Sequence, residues 1–270
     1  MWLFCIVITI IGILYTVLSA FFIYRFAQNQ IPNTGPCPSV TILKPLHGPE
    51  PELEVNLSSF CEQEYDGCIQ IILGLSNSQD PALEVAKQIQ FRYRDLNICV
   101  VCDPTLHGSN HKISNVINMF KLRQHSLIVL SDSDIRVEKN YLKTIAASLS
   151  EENVGIVSFY YCGLPLKGIW SQLAANHINY QFFPSALLGT TLGIEKPCFG
   201  STLALTEDVL LQVGGFKSFS SELADDYALG KRVLGYGKSI KMAPLLLKHS
   251  CSEETFSDYF QHLLRWSRTI

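Results

Sequence analysis

Charge is what this sequence has least of. Asp, Glu, Lys and Arg make up only 17% of its 270 residues, and 21 basic against 24 acidic side chains leave a net charge of −3. No basic field exists to hold nucleic acid by releasing its counterions, so no nucleic-acid partner is expected. With 47% hydrophobic residues, the chain is not disordered either. Metal-site spacing of the zinc kind is also missing. Among nine cysteines and seven histidines no second C-x-x-C and no His/Asp cluster stands at ligand spacing, which argues against a soluble metal hydrolase. The one C-x-x-C, Cys99-Val-Val-Cys102, lies in a β-branched run that reads as a buried strand. An odd cysteine count at irregular spacing argues for reduced thiols packed as small hydrophobes rather than for disulfides.

The missing charge is concentrated at the start. From Met1 to Tyr24 there is no charged residue, and Trp2–Ile23 is mostly Ile, Leu, Val and Phe. As a helix, such a run spans about 36 Å, enough to cross the hydrocarbon core of a bilayer. A signal peptide fits less well: no basic segment precedes the run and no small-residue cleavage site follows it. Residues 1–25 therefore read as a transmembrane anchor in a lipid bilayer. Arg25 is the only charge before Lys44, which places the bulk of the chain on the cytoplasmic face. Residues 26–38, rich in Pro, Gly and Asn, read as a linker, and 39–270 as one catalytic domain.

Within that domain short apolar runs alternate with helical patterns. Val40–Leu43, Ile69–Leu75, Ile98–Cys102, Leu127–Leu130 and Val154–Phe159 read as strands. A polar segment runs from Glu50 to Tyr65, and a helix starts after Asp80-Pro81. Ile113, Val116, Ile117 and Phe120 fall on one helical face, as do Leu142, Ile145, Ala146 and Leu149. The alternation predicts an α/β fold with a Rossmann-like, mixed but mostly parallel sheet. Such sheets bind ligands beyond the carboxyl ends of their strands.

Polar motifs stand at those ends. After the fourth strand comes Ser131-Asp132-Ser133-Asp134. Residues i and i+2 of an extended chain point the same way, so Asp132 and Asp134 can offer two hard oxygen ligands to Mg2+ or Mn2+ bridging a diphosphate. A polar strand end is the plainer alternative. Gly108-Ser-Asn-His-Lys112 opens a helix whose free N–H groups, with Lys112, suit an anion; an ordinary capped helix start serves equally. Asp225 and Asp226 open another helix, either as dipole partners or, in an apolar enclosure, with one acid as a general base. Gln261 and Arg265 share a face of a final amphipathic helix, beside Trp266. There Arg265 can fork onto a phosphate and Trp266 can stack on a ring, unless the helix is simply interfacial.

Taken in order, Asp-x-Asp, the acidic pair and Gln-x-x-Arg-Trp resemble inverting, membrane-bound glycosyltransferases of the A-type fold. The runs Gly108–Met119 and Ser131–Val137, together with Cys198–Ala204 and Arg265–Ile270, are similar to the ceramide glucosyltransferase family, above all its bacterial branch associated with hopanoid biosynthesis. Residue by residue, the resemblance implies that Asp132 and Asp134 hold a metal and the diphosphate of a UDP-sugar donor. It implies nucleotide contact at Asp80 and phosphate contact at Lys112. Asp226 matches the proton acceptor for the hydroxyl of a membrane lipid acceptor, with Asp225 as a less favoured base. Gln261, Arg265 and Trp266 are implied to close over diphosphate and acceptor. The sugar is expected to be glucose or N-acetylglucosamine.

Animal ceramide enzymes tend to carry Gly where Asp134 stands, which leans towards the bacterial branch. The family's early aspartate has no clean counterpart: alignment on the Lys112 motif reaches Asn97, with Asp95 and Asp103 nearby. Members also continue into further membrane helices, so a chain ending four residues after Trp266 is expected to be a truncated form. Trp170–Gly193 is either membrane-surface structure that receives the lipid or an ordinary core segment, and His177 reads as a structural histidine. A polysaccharide synthase uses the same motifs, but normally needs a transmembrane pore. An inactive nucleotide-binding scaffold would have no reason to keep Asp132, Asp134, Asp226 and Arg265 together.

Overall fold

The computed structural model describes residues 1–29, 35 and 37–267. Its first element, α1 (Trp2–Ala27), is a 26-residue helix in which only Ser19 is buried. Among the described residues it is the one helix long and apolar enough to cross a membrane. The helix runs two residues past the expected anchor boundary, and residues 30–34 and 36 of the expected linker lie outside the described residues.

The domain then alternates as its apolar runs predict: β1 (Val40–Pro45), α2 (Leu53–Cys61), β2 (Ile69–Leu75), α3 (Ala82–Arg92), β3 (Asn97–Cys102), α4 (His111–Phe120) and β4 (Leu127–Ser131). There follow β5 (Ile135–Arg136), α5 (Tyr141–Leu149), β6 (Val154–Pro165), α6 (Gly168–His177), a π turn (Ile178–Phe182) and α7 (Phe183–Thr191). The chain ends with β7 (Thr202–Thr206), α8 (Glu207–Gln212), α9 (Asp225–Gly235), β8 (Ser239–Cys251) and α10 (Phe256–Ser267). The strands form one sheet in the order β3-β2-β1-β4-β7-β6-β8-β5. β1–β4 and the β6/β8 pair run parallel, and β7 and β5 run against them. The sheet is mixed and mostly parallel, as expected.

Side chains alternate across each strand, so both faces of the central strands are apolar. Ile42, Ile71, Leu73 and Val129 pack under α2, α3 and α5, whereas Leu43, Ile72, Ile128 and Leu130 pack under α4, α8 and α9. Two readings of the sequence are corrected here. The polar segment Glu50–Tyr65 contains α2, whose Leu53, Asn56, Leu57 and Phe60 are buried at helical spacing. The run around Cys99-Val-Val-Cys102 is not core: β3 is the edge strand, Cys99 is half-buried and Cys102 exposed. All nine cysteines are free, as expected, but only Cys198 and Cys251 are buried, and Cys5, Cys68 and Cys102 are exposed rather than packed.

The last third of the sheet carries α6, which approaches β6 at Gly163. A Cβ there would stand 2.6 Å from the Cα of Ala175. Asn179 of the π turn clamps the same glycine, accepting from its N–H at 2.8 Å and donating to its carbonyl at 3.0 Å. Replacing Gly163 by Val is expected to destabilise the domain by about 1–3 kcal/mol through overpacking, read as a lowered Tm of the detergent-solubilised chain.

Candidate active site

The carboxyl ends of β1, β4 and β8, and the start of α9, bring a set of charged side chains together. At the end of β4, Asp132 receives an ion pair from Lys112 on α4, with Nζ 2.6 Å from Oδ1. α4 is aimed by its N-cap. Asn110 accepts from the Ile113 N–H at 3.0 Å and donates to the Glu222 carbonyl at 2.9 Å and the Asp225 carboxylate at 3.3 Å. One residue thus ties the start of α4 to the start of α9. Burial opposes the charge on Lys112, but the carboxylates of Asp132, Asp225 and Asp226 outweigh it and hold the ammonium above its usual range.

Asp134 pairs with His249 of β8, whose Nε2 lies 3.1 Å from Oδ2. Burial resists ionisation, yet His249 wins, and Asp134 is held down at about 2 while the imidazole is held well above its ordinary value. The other oxygen of Asp134, Oδ1, is buried without a hydrogen-bond partner. Beneath them lies Lys44, fully buried at the end of β1. It donates to the Asp132 carbonyl and stands 3.5 Å from Ser131 Oγ, with its ammonium 3.9 Å from the centre of the Phe60 ring. Burial pulls Lys44 down to about 7 against the attraction of Asp134, Asp132 and Glu50. Glu50 accepts from Ser133 Oγ at 2.5 Å and keeps a second buried oxygen unpartnered. Burial first, then Asp134, pushes its carboxyl up to about 7.

Opposite this cluster, Asp226 accepts from two backbone N–H groups, Gly200 at 2.7 Å and Tyr227 at 2.8 Å. Burial and then Asp225 raise its pKa from the ordinary aspartate value. Tyr161 of β6 stands among these acids: after burial itself, Asp134, Asp226 and Asp132 raise its hydroxyl. Its ring stacks on Phe182 of the π turn at 4.9 Å and lies 5.5 Å from His249. Trp266 of α10 closes the aromatic wall, 5.9 Å from Phe182 and from His177, 4.6 Å from His262 and 6.4 Å from His249. α10 is held in turn by His262, which pairs with buried Glu253 beyond β8.

Of the residues singled out in the sequence, Lys112, Asp132, Asp134 and Asp226 therefore converge, and Trp266 borders them. Gln261 and Arg265 lie exposed on α10, with Gln261 3.3 Å from Ser257 Oγ. Asp80 is turned inward. Its carboxylate accepts from the Gly48 N–H at 3.0 Å on both oxygens and from the Ala82 N–H at 2.9 Å, so it shapes the β1–α2 loop and starts α3. The positions weighed for the family's early acid, Asn97, Asp95 and Asp103, lie on or beside β3. Asn97 bonds Gln124 at the other end of β3 and Asp103 faces Lys121; the acid beside Asp134 is Glu50. Sequence reasoning also missed Lys44, Tyr161 and His249. Lys44 directly follows an apolar run that the strand-end rule covers. His249 comes from a strand the pattern did not reveal.

Among the described residues no three His, Cys, Asp or Glu side chains form a ready metal cage. The donor set nonetheless fits a hard divalent cation: two carboxylates, one with a buried oxygen lacking any partner. Gly200 packs close against the site, since a Cβ there would lie 2.8 Å from Asp226 Oδ2. Gly200→Ala is expected to displace the carboxylate and lower turnover while leaving Tm within a few degrees, checked by initial rates beside thermal melts.

The comparisons agree with this fold. The domain has the fold of a mannosyltransferase from Pyrobaculum calidifontis solved with GDP-Man and Mn2+, at a TM-score of 0.66 over 98% of this chain and 72% of that one, with 15% identity. GalNAc-T7 with UDP, GalNAc and Mn2+ aligns at 0.55 over 84% of this chain and 48% of that one, with 11% identity. The expected A-type glycosyltransferase fold is therefore the one found. In sequence, ceramide glucosyltransferases 1 and 3 of Caenorhabditis elegans are 20% and 24% identical over 97% and 90% of the chain, which spans 56% and 52% of theirs. The chain thus covers about half the length of these curated relatives. The model of glycosyl transferase family 21 matches residues 4–270, and the chain belongs to that family.

Proposed function

We propose that this chain is the catalytic part of an inverting, metal-dependent glycosyltransferase. It moves a hexose, glucose or N-acetylglucosamine, from a UDP-sugar to the hydroxyl of a membrane lipid of ceramide or hopanoid type. The observation that carries the reading is the gathering of Asp132, Asp225 and Asp226 around the ammonium of Lys112. On this reading Asp132 and Asp134 form the diphosphate side, and Asp226, beside Asp225, is an acid whose pKa is raised. The curated relatives named as ceramide glucosyltransferases support the lipid acceptor, and α1 supports a membrane location with the domain on the cytoplasmic side.

In this reading Asp132 and Asp134 would hold Mg2+ or Mn2+, which would supply positive charge against the leaving diphosphate. Lys112 stands at the start of α4, where free N–H groups favour an anion, and adds its charge to the phosphates. Asp80 holds the Gly48 loop under the nucleotide. Asp226 accepts the proton of the acceptor hydroxyl as that oxygen attacks the anomeric carbon on the face opposite the diphosphate. The carbon–oxygen bond to UDP breaks on the other side, so configuration inverts. Burial suits Asp226 to this task, because a raised pKa makes the carboxylate a stronger base. Trp266 and the face of α10 carrying Gln261 and Arg265 close the site over both substrates.

UDP binding to the solubilised chain is expected to require Mn2+ or Mg2+, and to lose that requirement together with most affinity in Asp132→Ala and Asp134→Ala. Titration calorimetry with and without chelator checks it, and metal-independent binding of wild-type strength would overturn the metal role. Asp226→Asn is expected to cut transfer by about 10²–10⁴-fold while UDP still binds; loss of UDP binding would make Asp226 structural. Because the base works deprotonated, the rate should rise with pH through the Asp226 pKa, with its midpoint shifted up from the ordinary aspartate value. A pH–rate profile of kcat with its midpoint near 4 would contradict the environment described for this group.

A further inference from the structure

The described part of α1 does not stand apart from the domain. Tyr15, Ser19, Phe22, Ile23 and Phe26 recur at helical spacing; Ser19 is buried and Phe22, Ile23 and Phe26 are half-buried, while the rest of the helix is exposed. That stripe meets α7. Tyr15 and Ser185 share a hydroxyl–hydroxyl bond of 2.8 Å, and Phe26 packs edge-on against Phe183 at 5.8 Å and Tyr160 at 5.6 Å. Phe22 and Ile23 join the same cluster as Ala186 and Leu187. Tyr15 lies ten residues before Arg25, about 15 Å along the helix axis, which is half the hydrocarbon thickness of a bilayer. Whatever surrounds α1 between these two residues surrounds α7 as well.

The composition of the α6–α7 region fits that surrounding. No Asp, Glu, Lys or Arg occurs between Lys167 and Glu195, and Ile169, Tyr180, Leu192 and Ile194 are more than half exposed. Charge returns at Glu195 and Lys196, before β7. A nine-residue helix such as α7 is about 13.5 Å long, within the depth of one leaflet.

We propose that α7 is an intramembrane helix packed against α1 in the leaflet next to the catalytic domain, and that bilayer lipid covers the outer face of this pair. The inference rests on the membrane reading of α1 given above. It assigns the lipid a route to the site. From α7 the chain passes to Phe199, whose ring lies 5.1 Å from Phe182 and 6.0 Å from Tyr160, and then to Gly200, which binds Asp226. A lipid whose chains lie along α1 and α7 presents its headgroup hydroxyl towards Phe199, Gly200 and the Asp226 carboxylate.

The test is photo-crosslinking of the full chain in phosphatidylcholine vesicles with tritiated acyl chains. p-Benzoylphenylalanine is placed at Leu192 after α7, at Leu14 in α1, or at Phe91 on α3 under the far edge of the sheet; all three side chains are exposed. Label is expected at positions 192 and 14 but not at 91. Label at 14 alone overturns the inference and leaves the anchor standing. No label at 14 removes the membrane reading, and the inference with it. Equal label at all three positions means that the domain contacts lipid without selectivity, which also overturns the special place of α7.

Discussion

Five carboxylates, those of Glu50, Asp132, Asp134, Asp225 and Asp226, crowd the carboxyl end of one sheet, and the fold has to hold them there against their own repulsion. Two like charges 4 Å apart repel by about 4 kcal/mol at an effective dielectric of 20. The compensation is built from three elements. Lys112 comes from a helix, Lys44 from the central strand and His249 from a late strand, and each faces carboxylates from elements other than its own. Where compensation runs short the acid is driven towards its neutral form, as at Glu50 and in part at Asp226. The balance leaves more carboxylates than cations at this end of the sheet.

The same constraint explains the shape of the second half of the domain. β7 runs against its neighbours beside β4, with Asp132 N–H donating to the Ser201 carbonyl at 3.2 Å, so the strand end that carries the Asp-x-Asp pair is braced from both sides. The loop before β7 delivers Gly200 to Asp226. β8 then returns parallel to β6 and carries His249 to Asp134 and Cys251 to the foot of α6. Tyr161, Phe182, Phe199 and Trp266 fill the space between these elements, an apolar wall that limits water around the acids and strengthens every charge interaction inside.

How much of this was legible in the residues varies along the chain. From Val40 to Phe159 the apolar runs and the 3.6-residue faces describe strands and helices that the structure contains, because central strands buried on both sides must be apolar throughout. α2 escaped because Glu50, Glu52, Glu54 and Glu62 mask a buried face of four residues. β3 looked like core because β-branched residues mark a strand but do not say whether it has one neighbour or two. Asp132, Asp134, Lys112 and Asp226 stood out since each sits where a strand ends or a helix begins. Lys44 and Glu50 stood there too, in a stretch whose helix had gone unseen.

By itself the sequence determined the apolar helix at its start, the α/β alternation and the residue types available for the chemistry, all properties of neighbours along the chain. The tertiary structure alone decided which charges meet. Asp134 finds His249 and Asp132 finds Lys112 through strand order and register, and no local pattern encodes the distance between residues brought together by a sheet. It also decided that α1 shares a face with α7, since a helix apolar on every side carries no mark of which side will be covered.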